Sequence, residues 1–187
     1  MKRATKSIIT FILALAMVIS LVPVSAMAKT TYHAYMCIQT DTSWVFRDDY
    51  ANAKTGHTSK YFNQLSMSQK DGSIKKMKGT FKNATLKKNG TYTVTLTSPD
   101  FNGDKHISVL ALSTDIPLTK KGVKFTNVKA IFGTTTKKTF KTAIFDPNEK
   151  KYYKPLLLNS WNAQVKDCFA YSLPVNKISI TFTVKGL

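Results

Sequence analysis

The chain has 187 residues, with 28 lysines and arginines against 10 acidic residues, a formal net charge of +18 at pH 7. Arginine is nearly absent, histidine numbers 3 and Glu149 is the sole glutamate. This composition argues against three function classes from the start: arginine-based nucleic-acid readout, histidine-ligated zinc chemistry and catalysis by a glutamate pair.

Residues 1–28 read as a cleavable signal peptide. Lys2, Arg3 and Lys6 form a positive n-region, residues 8–21 are an apolar run, Pro23 ends it, and Ala26-Met27-Ala28 supplies small residues for cleavage. The run is short for a membrane-spanning helix. Cleavage leaves 29–187 as one domain, 159 residues carrying 25 basic and 10 acidic groups, with Arg47 its only arginine. No membrane association is expected after cleavage.

The segment 31–39 (TYHAYMCIQ) sets Tyr32, Ala34, Met36 and Ile38 against His33, Tyr35, Cys37 and Gln39. Side chains two apart share a face, so this predicts a strand with one core face and one face bearing a ring, an imidazole and an amide. Asp41-Thr42-Ser43 predicts a turn, 44–47 resumes the strand, 48–58 is a polar loop, and 61–67 is a further strand ended by Asp71-Gly72.

Next, 78–86 (KGTFKNATL) is expected to form a hairpin with 91–97 across Lys87-Lys88-Asn89-Gly90. Asn-Gly suits a type I′ turn, which needs φ > 0 at both central residues. In the second strand Tyr92, Val94 and Leu96 alternate with threonines, placing Tyr92 inward. After a turn cluster at 98–105, residues 106–113 (HISVLALS) are nearly continuously apolar, as in a strand covered on both faces. Asp115-Ile116-Pro117 breaks it. The segment 123–132 changes phase from Val123 and Phe125 to Val128, Ala130 and Phe132, predicting a bulge near Asn127.

Residues 133–136 turn into a strand at 139–145, and 146–149 turn again. A buried strand is expected at 156–159, 162–174 has room for one helical turn, and Ile178, Ile180, Phe182 and Val184 alternate toward the end. About nine strands punctuated by turns predict an all-β fold, an antiparallel β-sandwich of jelly-roll type.

Cys37 and Cys168 fall in the first and penultimate strand-like regions. An exported protein permits a disulfide between them, and two buried thiols are the alternative. Asp100-x-Asn102-Gly103-Asp104 begins like a calcium loop, but Ala111 stands where the bidentate glutamate belongs, so a turn is favoured there; structural calcium at another loop stays open. No Gly-x-Ser-x-Gly elbow and no His-Glu-x-x-His pair occur, and the aspartates cluster in turns. The expectation is a non-enzyme without a cofactor or metal.

Aromatic and amide side chains are better represented. A sugar ring offers C–H faces that stack on tryptophan and tyrosine, and hydroxyls that bond to amides and guanidinium. Two patches offer that mixture: Tyr35, Gln39, Trp44 and Arg47 near the first strands, and Asn159, Trp161, Asn162 and Gln164 within NSWNAQ.

Blocks in order along the chain carry a family resemblance: TSWVFR (42–47), GTYTVTL (90–96), ALSTDIP (111–117), KFTNVKAIFG (124–133), LLLNSWN (156–162) and SITFTVKGL (179–187). Through them the chain resembles jelly-roll, carbohydrate-binding-module-like domains in exported surface proteins and glycosidases of Gram-positive, clostridia-like bacteria. The resemblance implies a secreted module that binds a polysaccharide or cell-wall glycan on an aromatic-lined face. The sequence departs from it in lacking an attached catalytic domain and a Leu-Pro-x-Thr-Gly sorting signal.

The function expected is therefore a secreted, non-catalytic, monomeric glycan binder using Trp44, Trp161, Tyr35, Gln39, Arg47, Asn159 and Asn162, with no nucleic-acid partner. The competing expectation is an adhesive or structural protein held on anionic wall polymers by its lysines.

Overall fold

In a computed structural model, residues 31–40, 43–45, 65–68, 74–77, 79–97, 106–166, 169–170 and 176–187 are described. Residues 1–28, expected to be a signal peptide, Arg47, Cys168 and the expected loop and turn segments 48–58, Asp71-Gly72 and 98–105 lie outside them.

The described residues contain no helix and form fourteen strands. Nine make one sheet: β1 (Tyr32–Thr40), β2 (Ser43–Val45), β3 (Leu65–Ser68), β4 (Ile74–Met77), β6 (Ala84–Leu86), β8 (His106–Thr114), β11 (Ile144–Phe145), β12 (Pro155–Asn159) and β13 (Phe169–Ala170). Five make the other: β5 (Thr80–Lys82), β7 (Gly90–Thr97), β9 (Lys124–Phe132), β10 (Thr135–Thr142) and β14 (Lys177–Lys185). Every pairing is antiparallel. The larger sheet runs β11-β12-β8-β1-β2-β3-β4, with β6 also on β1 and β13 also on β8; the smaller runs β10-β9-β14-β7-β5.

The sheets close on a shared core, as a β-sandwich requires. Ala34, Met36, Ile38, Leu110 and Leu112 from one sheet meet Val94, Leu96, Phe125, Ile180 and Phe182 from the other. The alternation of β14 puts Ile178, Ile180, Phe182 and Val184 inside, while Thr181 and Thr183 remain partly exposed. Ile107 and the whole of 109–114 in β8 are buried, so both of its faces are covered as expected. The bulge also falls where the phase changes. Asn127 takes φ 51°, and the β9–β14 register steps past it, whereas the β9–β10 register shifts further along, between Ile131 and Ala130. Asparagine tolerates this left-handed conformation better than most residues.

The Asn89-Gly90 expectation needs correction. Neither residue has positive φ, and Gly90 is the first residue of β7, opposite Val184. Only Thr80–Lys82 pairs with β7; after Asn83 the strand leaves the smaller sheet, and Ala84–Leu86 pairs with β1. The connection is therefore an arch between sheets. Tyr92 Oη donates to Lys88 O (2.7 Å), and Asn89 Oδ1 accepts from Leu187 N (3.1 Å), which satisfies the arch backbone and ties it to the chain's last residue. A similar sheet change occurs at Ala143, between β10 and β11, where Ala143 N donates to Phe125 O (2.9 Å). Strand counts rise above the nine expected because bends divide what read as single strands, and because β4 and β13 were not foreseen; β13 falls in the 162–174 segment, whose described residues form no helix.

Candidate functional site

The outward face of the larger sheet holds most of the residues singled out from the sequence. Cross-strand partners occupy the same face, and the register lays Asn159, Val109, Gln39 and Trp44 in one row across β12, β8, β1 and β2. At about 4.8 Å between strands, that row spans roughly 14 Å. Tyr35 stands opposite Ser113 on the same face, four residues before Gln39 along β1. For Trp44 the register position is the whole of the structural description; Arg47 lies outside the described residues.

This face is less polar than its sequence suggests. Cys37 is fully buried in a second apolar cluster with Ala111, Leu156 and Val165, with Phe140 and Ile144 packed against it. Tyr35 and Gln39 flank that cluster and are half-buried. Burial first, and the Asp115 charge second, push the Tyr35 phenol from 10.0 up to about 12. A raised folded-state value means that the stabilising contribution is complete below pH 10 and is lost as pH climbs toward 12. The Tyr35→Phe protein is therefore expected to lose thermal stability less steeply than wild type between pH 10 and 12. Melting curves across that window check this; parallel losses in the two proteins would contradict it.

The segment following β12 displays a tryptophan. Asn159 N donates to Val165 O (2.8 Å), Asn162 N to Asn159 O (3.0 Å) and Val165 N to Asn162 O (3.0 Å), closing a tight loop. Ser160 N donates to Ser108 O (2.9 Å), binding the loop to β8. Val165 is fully buried beneath it, whereas Trp161 is 68% exposed, the most exposed large apolar side chain among the described residues. A largely exposed indole on a backbone this constrained leaves little backbone ordering entropy to be lost on any contact it makes.

Both asparagines shape the loop through their side-chain oxygens. Asn159 is buried, and its Oδ1 accepts from Trp161 N (3.0 Å); Asn162 Oδ1 accepts from Gln164 N (2.9 Å). Each forms an asparagine turn that shapes the loop. Asn159 thus positions the backbone of Trp161. Asn162 remains partly exposed beside the indole.

Sequence reasoning missed a polar clamp at the other end of β1. His33 N and Nδ1 both donate to the Asp115 carboxylate, at 2.6 and 2.7 Å, and Asp115 N donates back to His33 O (3.2 Å). These groups satisfy one another and fasten the end of β8 to the start of β1. The pair is 82 positions apart, so only the β1–β8 register brings it together. Ser113, also on this face, is fully buried and its Oγ has no hydrogen-bond partner among the described residues.

Among the described residues no three histidine, cysteine, aspartate or glutamate side chains group as metal ligands, and no helix is long and apolar enough to cross a membrane. The calcium-loop-like stretch 100–104 and the Cys168 half of the suggested disulfide lie outside the described residues. No protein-family model, curated protein or solved structure matches the chain.

Proposed function

We propose that this chain is an exported, non-catalytic carbohydrate-binding protein whose site lies on the outward face of the larger sheet, at the end where Trp161 is displayed. The observation carrying this reading is the exposed indole on a loop shaped by two asparagine turns. A pyranose ring stacks its C–H face on Trp161, and Asn162 and Gln39 supply hydrogen bonds to hydroxyls. Trp44, in register with Gln39, extends the site along the row, and Arg47 joins the proposal from its sequence patch alone. Asn159 acts through Trp161 by holding its backbone.

Affinity electrophoresis through gels containing soluble polysaccharides tests the proposal. At least one neutral glycan is expected to retard the protein, free oligosaccharide of the same glycan to release it, and moderate salt to leave the retardation intact. Trp161→Ala is expected to weaken binding about tenfold or more, in keeping with the weight that a central tryptophan carries in an interface. Absence of retardation across the panel, or equal retardation of Trp161→Ala, would overturn the assignment.

A further inference from the structure

The smaller sheet presents a surface of a different chemistry. Its five strands contain eight lysines and no acidic residue. The outward side of β7 is made of threonines, and they pair with hydroxyls on β14: Thr91 with Thr183 (2.9 Å), Thr93 with Thr181 (2.9 Å) and Thr95 with Ser179 (3.0 Å). In a hydroxyl pair one group donates to the other, and the second hydrogen is left to donate elsewhere. Each rung of this ladder therefore keeps one donor for a ligand.

The ladder leads into an open groove of about 490 Å³ at the β5 side of the sheet. Lys82 lies in the row with Thr95 and Ser179, and Lys177 in the row with Thr80 and Thr97. Both lysines line the groove and are exposed, and neither forms an ion pair among the described residues. Ammonium groups and hydroxyl hydrogens thus converge on one concavity that, among the described residues, no carboxylate lines. The ligand chemistry this fits is anionic and rich in acceptors.

We propose that this groove binds a linear anionic polysaccharide, its carboxylate or sulfate groups meeting Lys82 and Lys177 and its hydroxyl oxygens accepting from the ladder. A nucleic acid fits less well. Bases of a single strand need aromatic platforms, duplex grooves favour arginine, and the outward rows through this groove hold threonine, serine, lysine and Ile131. The surface lies on the opposite sheet from Trp161 and does not depend on the sugar-stacking reading.

The test uses the full chain and three immobilised probes: heparin for sulfate, polygalacturonate for carboxylate, and single-stranded oligodeoxythymidine. Lys82→Gln/Lys177→Gln is compared with Lys87→Gln/Lys121→Gln, which removes the same charge from exposed turn positions. The groove pair is expected to weaken binding to heparin, polygalacturonate or both by about tenfold near 0.1 M salt, and to lower the slope of log affinity against log salt by roughly 2. The control pair is expected to change affinity no more than about twofold by screened long-range attraction. Trp161→Ala is expected to bind these probes like wild type, which separates this site from the stacking site. Equal losses in the two lysine pairs, no binding to either polysaccharide, or tighter binding to the oligonucleotide would each overturn the proposal.

Discussion

Phe182→Ala is expected to lower the unfolding free energy by about 3–5 kcal/mol, toward the upper end of that range. Phe182 is fully buried on β14, the middle strand of the smaller sheet. Its ring lies 6.0 Å from that of Tyr92 and 5.9 Å from that of Phe125. Phe125 in turn meets Tyr153 at 6.1 Å and, edge-on, Phe145 at 6.2 Å. The series of rings thus joins the smaller sheet to β11 of the larger one.

Its outer members are tethered, which decides the magnitude. Tyr92 Oη donates to Lys88 O (2.7 Å) and Tyr153 Oη to Lys120 O (2.9 Å). Rings held at their rims close poorly over a cavity, so the relaxation that softens many truncations is restricted here. Urea unfolding reads the effect as a fall in midpoint at unchanged slope. Phe182→Leu retains most of the volume and is expected to lose clearly less. A loss below about 1 kcal/mol for Phe182→Ala would contradict the packed interface.

The second large effect comes from a buried ion pair. Lys154 Nζ lies 3.1 Å from Asp146 Oδ2, and each side chain is only 8% exposed. Asp146 also accepts from Asn148 N through Oδ1 (3.0 Å), and its N–H donates to Lys154 O (3.0 Å). Glu149, buried within the same connection, accepts from Lys151 N and Tyr152 N at 2.9 and 3.2 Å. The segment between β11 and β12 therefore depends on acceptors whose backbone donors are otherwise hard to satisfy.

Lys154→Met leaves the Asp146 carboxylate buried without its counter-charge and is expected to cost about 3–5 kcal/mol. In the double variant Lys154→Met/Asp146→Asn the charge is gone while the amide oxygen still accepts from Asn148 N. Most of the loss is then expected to be recovered, because the penalty belongs to the orphaned charge more than to the missing attraction. Denaturant unfolding of the two single variants and the double variant measures the coupling. Strict additivity of the single losses would contradict it.

What could be read from the sequence was periodic and local. The alternation of β14, the two-sided burial of β8 and the phase change at Asn127 all follow from side-chain placement along one strand. What could not be read was the choice of partner. Asn89-Gly90 has turn chemistry, but whether a turn joins neighbours in one sheet or arches between two depends on β1, more than forty positions earlier. Apolar residues on both sides of Asn83 and Ala143 hide the sheet changes for the same reason. The His33–Asp115 clamp is non-local too.

For the candidate site the lesson differs. Asn159 and Asn162 were legible as turn formers, since each precedes by two the backbone N–H it binds. Each side-chain oxygen holds that local bond in addition to any part it plays in the proposed sugar site. The exposure of Trp161 depends on Val165 turning under the loop, which no periodicity announces. Cys37 belongs to an outward apolar cluster for a similar reason, because the residues covering it come from elsewhere in the chain.

The most direct test of glycan binding follows Trp161 fluorescence in a Trp44→Phe protein, where Trp161 is the sole tryptophan. The protein is titrated with oligosaccharide from a polysaccharide that retards it in the gel, with and without iodide. Stacking predicts efficient iodide quenching of the free protein, then a saturable spectral shift and protection from iodide as sugar is added. Unchanged emission and undiminished quenching at sugar concentrations that abolish retardation would place the site away from Trp161 and contradict the account.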